Sequence, residues 1–225
     1  RERFTNCNYF QTIRGAYFRY IGFYFIKSFN YDAHMFAFKN KYFLIIENIK
    51  DIDLRNIKLI NRYIIIYRNS NKIEDIDRLV KFRRYCKSKK IDFYVSNDEK
   101  LASNLKADGL YISAHNTNLR LAKLKKSNYK IIGSAHNIKE LKIKILQGCS
   151  SIIFSRLFKV DHPFKRGFLG VIRFNLFKLS RKEDLIPLGG INLSNLTKLK
   201  MVQSNSFALL SEIKKKPAKL FNRLF

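Results

Sequence analysis

The chain has 225 residues, 46% of them hydrophobic, enough to bury a real core in one large domain or two small ones, and a single domain is the expected arrangement. Lys and Arg number 45 against 17 Asp and Glu, a formal charge of +28 that is spread singly along the chain and accompanies a general abundance of Lys, Asn, Ile, Phe and Tyr. Compositional bias therefore explains the charge better than a nucleic-acid partner does, although it still favours anionic ligands such as phosphates. Cys7, Cys86 and Cys149 are odd in number and form no Cys-x-x-Cys pair, so neither a disulfide framework nor a zinc site is indicated and a reducing, cytoplasmic setting is expected.

In chain order, the first distinctive stretch is AYFRYIGFYFIKSF, residues 16–29. It is too short for a membrane span, carries Arg19 and Lys27, and lacks a signal-peptide cleavage pattern. Residues 1–34 are expected to be an N-terminal extension outside the functional fold, with an interfacial aromatic anchor as the rival reading. The domain proper is expected to run from Met35 to Phe225.

Eight short apolar runs follow, starting at Tyr42, Tyr63, Asp92, Gly109, Lys130, Ser151, Ile186 and Phe207. They lack clean alternation, as strands buried on both faces of a parallel sheet do. Helix-like segments lie between most of them. Ile73, Ile76, Leu79, Val80 and Cys86 are expected to form one face of a helix, with acids in its first turn and bases in its last. In HNIKELKIKILQG, Asn137 is the expected N-cap, Glu140 its box partner and Gly148 the C-terminal stop. Leu193, Leu196 and Leu199 mark another apolar face, and a helix is expected within RFNLFKLSRKEDL. The same alternation permits an open doubly wound sheet, but a count of eight favours a closed (β/α)8 TIM barrel.

In such a barrel the working residues follow the strands. The runs lead into Arg68, Asn69 and Ser70; Asn97 and Asp98; His115 and Asn116; Ser134 and His136; Ser155, Arg156 and His162; Gly189 and Gly190; and Ser211. Polar residues at nearly every end, with Gly-Gly after the seventh, suit a phosphorylated small molecule, because backbone N–H groups approach anionic oxygens closely where there is no side chain. Each residue also has a structural reading: Asp98 as a helix cap, Arg68 as an ion-pair partner, each His as a hydrogen-bonded scaffold residue.

ADGLYIS, IIGSAHNIKEL, SIIFSRLF, HPF, FLG, IPLGGINLSNL and FALLSEI, in this order and spacing, resemble the thiamine-phosphate synthase and TenI family over roughly residues 41–213. The resemblance implies a TIM barrel and a transferase joining an aminopyrimidine diphosphate to a thiazole phosphate, with release of pyrophosphate and Mg2+ assistance. It implies diphosphate contact for Arg68, an Asn-Asp pair at Asn97 and Asp98 with Asp98 as metal ligand, the pyrimidine-site Ser at Ser134, and thiazole-phosphate positions at Gly170, Gly190 and Ser211, with Gly189 in the same turn. The second metal position is held by Asn116, the residues flanking Arg68 are Ile66, Asn69 and Ser70, and VDHPF replaces the family's Thr-x-Thr-Lys loop. Three functions follow: the synthase, which is preferred; a TenI-like thiazole tautomerase with His136 or His162 carrying the proton; and a barrel that binds a phosphorylated ligand or nucleic acid without turnover.

Overall fold

The computed structural model describes residues 41–57, 61–68, 75–127, 129–160 and 167–210. The expectations for residues 1–34, Asn69, Ser70, Ile73, His162 and Ser211 lie outside the described residues.

The eight apolar runs are strands β1 (Lys41–Ile46), β2 (Tyr63–Tyr67), β3 (Asp92–Ser96), β4 (Gly109–Ile112), β5 (Lys130–Ala135), β6 (Ser151–Ser155), β7 (Asp184–Leu188) and β8 (Ser206–Leu209). All pair in parallel, in sequence order, and β8 returns to β1 to close a barrel. The expected (β/α)8 topology is thus the one observed. β7 starts at Asp184 and not at Ile186, which leaves Gly189 and Gly190 just beyond its end. The crossovers hold α1 (Ile76–Ser88), α2 (Glu99–Asn104), α3 (Ile138–Leu146) and α4 (Gly170–Leu179). 3-10 segments, Leu119–Ser127 and Leu196–Met201, serve after β4 and β7. Among the described residues, no helix is long and apolar enough to cross a membrane.

Strand period assigns alternate residues to the barrel interior. Phe43 and Ile45, Ile64 and Ile66, Tyr94, Tyr111, Ile132, Ile153, Ile186 and Ala208 form one buried cluster there. The pairing is volume-matched: Tyr94 lies opposite Gly109, and a Cβ on Gly109 would collide with the Tyr94 ring and the Lys130 carbonyl. At the N-terminal end of the barrel the same parity carries polar residues that meet one another, Lys41 Nζ lying 3.2 Å from Asp92 Oδ2 and Ser151 Oγ donating to Asp184 on the adjacent strand at 2.9 Å.

The outer layer corrects one expected helix face. In α1, Leu79 and Cys86 are buried as anticipated, but Ile76 is half exposed and the third buried residue is Arg83. The face turns because Arg83 has partners inside: its Nη2 donates to Asp108 Oδ1 at 2.7 Å, and its Nε and Nη2 donate to the Lys106 carbonyl at 3.2 Å. Asp108 also accepts from the Phe93 N–H at 2.7 Å, so one ion pair ties α1 to the start of both β3 and β4. In α3 the expected Asn137 cap and Gly148 stop are both present, Gly148 at φ 77°. The helix in RFNLFKLSRKEDL begins earlier, at Gly170. Burial pushes the thiols of Cys86 and Cys149 up to about 12, which suits inert filler.

Replacing Arg83 with Met strands Asp108 and the Lys106 carbonyl. Urea unfolding is expected to show a loss of about 2 kcal/mol at an unchanged m-value, whereas Arg84→Met on the exposed side of α1 changes stability by less than about 0.5 kcal/mol.

Candidate functional site

Above the apolar plug, the inward parity continues into a polar layer. On six of the eight strands, two residues beyond a plug residue, stand Glu47, Arg68, Ser96, Ser113, Ser134 and Ser155, whereas β7 and β8 carry Leu188 and Leu210 there. Because every strand is parallel, all six sit at the C-terminal rim.

On one wall Arg68 Nη2 lies 3.1 Å from Glu47 Oε1, so the guanidinium is aimed by a carboxylate from the neighbouring strand. The charge of Arg68 reaches the phenol of Tyr111, which is hydrogen-bonded to Ser134. Burial nevertheless raises the Tyr111 phenol above its ordinary value, so it stays a neutral hydroxyl. Ser96 Oγ is buried with no hydrogen-bond partner among the described residues, which leaves an unmet hydroxyl in this layer.

Asn97 takes a left-handed conformation, φ 57°, immediately after β3. Its amide locks onto the next strand end: Nδ2 donates to Ser113 Oγ at 2.9 Å, and Oδ1 accepts from Ser113 N at 3.0 Å and from Asn116 Nδ2 at 3.1 Å. Asn116 Oδ1 accepts from the Asn118 N–H at 3.0 Å. The loop is held from behind by Lys144, fully buried on α3, whose Nζ donates to the Asn116 carbonyl at 2.6 Å and to Gln147 Oε1 at 2.9 Å. Burial lowers the Lys144 pKa. Asp98 accepts from Leu101 N at 2.9 Å and caps α2, one of the two readings open from sequence.

For the Mg2+ that the resemblance implies, Asp98 is the one carboxylate among the positions it names. Mg2+ takes oxygen ligands in octahedral array, usually one or two carboxylates with waters and substrate phosphates. The Asn97 and Asn116 amide oxygens are already committed to N–H donors, and a backbone N–H fixes the Asn116 oxygen in that direction. One oxygen of Asp98 serves the cap. Among the described residues no group of three or more His, Cys, Asp or Glu side chains could hold a metal ion.

At the end of β5, His136 is clasped by Glu140, whose Oε2 accepts the His136 backbone N–H at 2.7 Å and lies 3.0 Å from His136 Nδ1. The carboxylate thus reaches one residue further back than the capping box predicts, and meets Asn137 through its side-chain amide at 2.9 Å. His115 stacks on His136 with ring centroids 6.1 Å apart. Burial alone would raise the Glu140 carboxyl, but hydrogen bonds from the His136 backbone and ring and from Asn137 outweigh it and hold the group below its usual range.

The opposite wall is backbone. Leu157 N and Phe158 N donate to the carbonyls of Leu188 and Gly189, both at 2.9 Å, so β6 and β7 stay paired beyond their ends. Gly189 and Gly190 have φ of 100° and 68°, and a Cβ on Gly190 would strike the carbonyls of Phe158 and Lys159. Only glycine fits there. Asn195 Nδ2 ties the turn down through the Gly190 carbonyl at 2.7 Å. Gly170, at φ 71°, donates its N–H to the Leu157 carbonyl at 2.8 Å and opens α4 beside the same loop.

The structure therefore gathers Arg68, Asn97, Asn116, Ser134, His136, Gly189 and Gly190 at one rim and places Asp98 there as a cap. Sequence reasoning missed Glu47, Tyr111 and Lys144. Glu47 was findable by extending the strand parity by two residues, whereas nothing local distinguishes Tyr111 from a core aromatic.

A family model described as thiamine monophosphate synthase matches residues 57–213. The chain is 28% identical over 129 residues to a thiamine-phosphate synthase of Prochlorococcus marinus, covering 57% of this chain and 37% of that protein, so it spans little more than a third of that relative. It is 26% identical over 155 residues to a thiamine-phosphate synthase of Clostridioides difficile, covering 66% of this chain and 71% of that protein. The fold is similar to that of a thiamine phosphate pyrophosphorylase from Pyrococcus furiosus, with a TM-score of 0.63 at 16% identity over 84% of this chain and 98% of that one.

A carboxyl group held below its usual range stabilises the fold above its unfolded pKa, and that contribution is lost as pH falls through the folded pKa. Glu140→Gln is expected to cost about 1 kcal/mol at neutral pH, and the gap to the parent should close as pH drops below about 4. A gap independent of pH in urea titrations would contradict the clasp.

Proposed function

The chain belongs to the thiamine monophosphate synthase family, and from that premise we propose that its barrel joins an aminopyrimidine diphosphate to a thiazole phosphate in thiamine biosynthesis, releasing pyrophosphate. The observation that carries this reading is the inward polar layer over the apolar plug: one guanidinium, several hydroxyls and a glycine turn face a common mouth.

The reaction needs little proton transfer. The bond from the pyrimidine methylene carbon to the diphosphate oxygen breaks, and its electron pair leaves with pyrophosphate. The lone pair of the thiazole ring nitrogen forms the new carbon–nitrogen bond. Charge grows on the departing oxygens, where the planar fork of Arg68 can match two of them at once. Ser134, oriented by Tyr111, and the unmet Ser96 hydroxyl suit the polar edge of the pyrimidine. The N–H groups of the Gly189–Gly190 turn suit the thiazole phosphate, with Gly170 beside it held through its own N–H to the Leu157 carbonyl, and this fixes the nucleophile beside the electrophile. Ser211 and His162 stay assigned by resemblance alone.

A second reading, thiazole tautomerase, is favoured by the Glu140–His136 clasp. With Nδ1 engaged by the carboxylate, Nε2 is left to accept a proton.

Incubation with both phosphorylated precursors distinguishes them. Pyrophosphate release is expected from the parent, with a fall of about a hundredfold or more in kcat/KM for Arg68→Gln and little change for His136→Gln. No pyrophosphate release, together with thiazole isomerisation that His136→Gln abolishes, would establish the tautomerase instead.

A further inference from the structure

In the synthase reading Arg68 meets the diphosphate, but a long arginine side chain has many rotamers. A guanidinium that nothing holds has to be ordered at the moment the anion binds, and that ordering weakens binding. The backbone of Arg68 is fixed by strand pairing, its N–H donating to the Ile46 carbonyl at 2.8 Å, one step beyond the Ile46–Tyr67 pair. Its head is fixed by Glu47. Among the described residues Glu47 is the one side chain to which the guanidinium donates, through Nη2 to Oε1 at 3.1 Å. A guanidinium carries five N–H donors in a planar fork, so this single contact leaves donors for two phosphate oxygens.

Glu47 is itself held in place. It follows β1 directly, and Asp51 Oδ2 accepts the N–H groups of both Glu47 and Asn48 at 2.9 Å, while Asn48 and Asp51 close a capping box. The turn that carries the carboxylate is therefore fixed before any ligand arrives. The two side chains of the pair are 36% and 37% exposed, so an anion can reach them. An ion pair so open to solvent contributes little to stability, which leaves its placement in the mouth as the property to explain.

We propose that Glu47 is a positioning residue that acts through Arg68: it presents the guanidinium fork to the diphosphate, and so governs how tightly that group is held and how fast it departs. The proposal rests on the synthase reading of the mouth. A carboxylate beside an anion site also repels the anion, so aiming and repulsion act with opposite signs and can be told apart.

The test is calorimetric titration of the full chain with inorganic pyrophosphate in Mg2+ at physiological salt, paired with steady-state pyrophosphate release from the two precursors. Glu47→Ala removes the anchor and Glu47→Asp retracts it by one methylene. Each is expected to weaken pyrophosphate binding about threefold to tenfold and to lower kcat about tenfold. Glu47→Gln keeps an acceptor oxygen at full reach and should stay within about threefold of the parent in both quantities. In an Arg68→Gln background, Glu47→Ala should change binding by less than about twofold, because its effect passes through Arg68. Tighter binding by Glu47→Ala, a Glu47→Asp variant that matches the parent, or an undiminished Glu47→Ala loss without Arg68 would overturn the positioning role and leave the synthase reading standing. If the parent binds pyrophosphate but releases none from the precursors, the synthase reading fails and the binding comparison alone decides the role of Glu47. A parent that neither binds nor releases pyrophosphate removes both. Should circular dichroism show Glu47→Ala unfolded, Glu47→Asp carries the same comparison.

Discussion

Closure of β8 onto β1, with Tyr42 opposite Phe207, Phe43 opposite Ala208 and Leu44 opposite Leu209, fixes which half of every strand faces inward. In a closed parallel ring this phase propagates: Phe43 pairs with Ile64, Ile66 with Tyr94, Tyr111 with Ile132, and Ile153 with Ile186. A slip of one residue at any pairing would reverse the faces of that strand. The same phase that seats the apolar plug therefore sets Arg68, Ser134 and the serines beside them at the mouth. Core packing and site geometry are one constraint.

The residues behind the site depend on that frame in turn. Lys144 is a fully buried cation whose ammonium meets the Asn116 carbonyl and Gln147, and the Gln147 amide meets the carbonyls of Asn116 and Asn118. Burying such a group is unfavourable unless its donors are met, and meeting them fixes the loop after β4. Its stem and Cys149 Sγ pack against Gly133, one residue before Ser134. Ser134 and the Asn97–Asn116 network are thus held from behind by the same helix, α3. The two walls differ in kind: side-chain hydrogen bonds set the β3 to β5 side, whereas positive-φ glycines and backbone pairing set the β6 to β7 side.

Much of the fold was legible because strands covered on both faces cannot alternate, and Tyr63–Tyr67 or Ser151–Ser155 show that continuous apolar character directly. Eight such runs with crossovers leave little choice of topology. The misplaced helix face in α1 has a physical cause: Arg83 reads as solvent-facing in sequence, and only the partners brought by Lys106 and Asp108, more than twenty residues later, make its burial favourable. Lys144 is the same case. At the site, residues that follow strands were legible by position, as Arg68, Asn97 and the two glycines show. What each one does was less so. Asn116 turns its oxygen to a backbone N–H, and Tyr111 gains its role from a hydroxyl on the next strand.

The central claim is that one rim of this ring gathers a single anion site between the Arg68 wall and the glycine wall. A crystal structure of the chain soaked in pyrophosphate tests it most directly. Difference density in the mouth, bounded by Arg68 and the Gly189–Gly190 turn, is the predicted result. Anion density confined to lysines on the outer helices or to the opposite end, near Lys41 and Asp92, would contradict it.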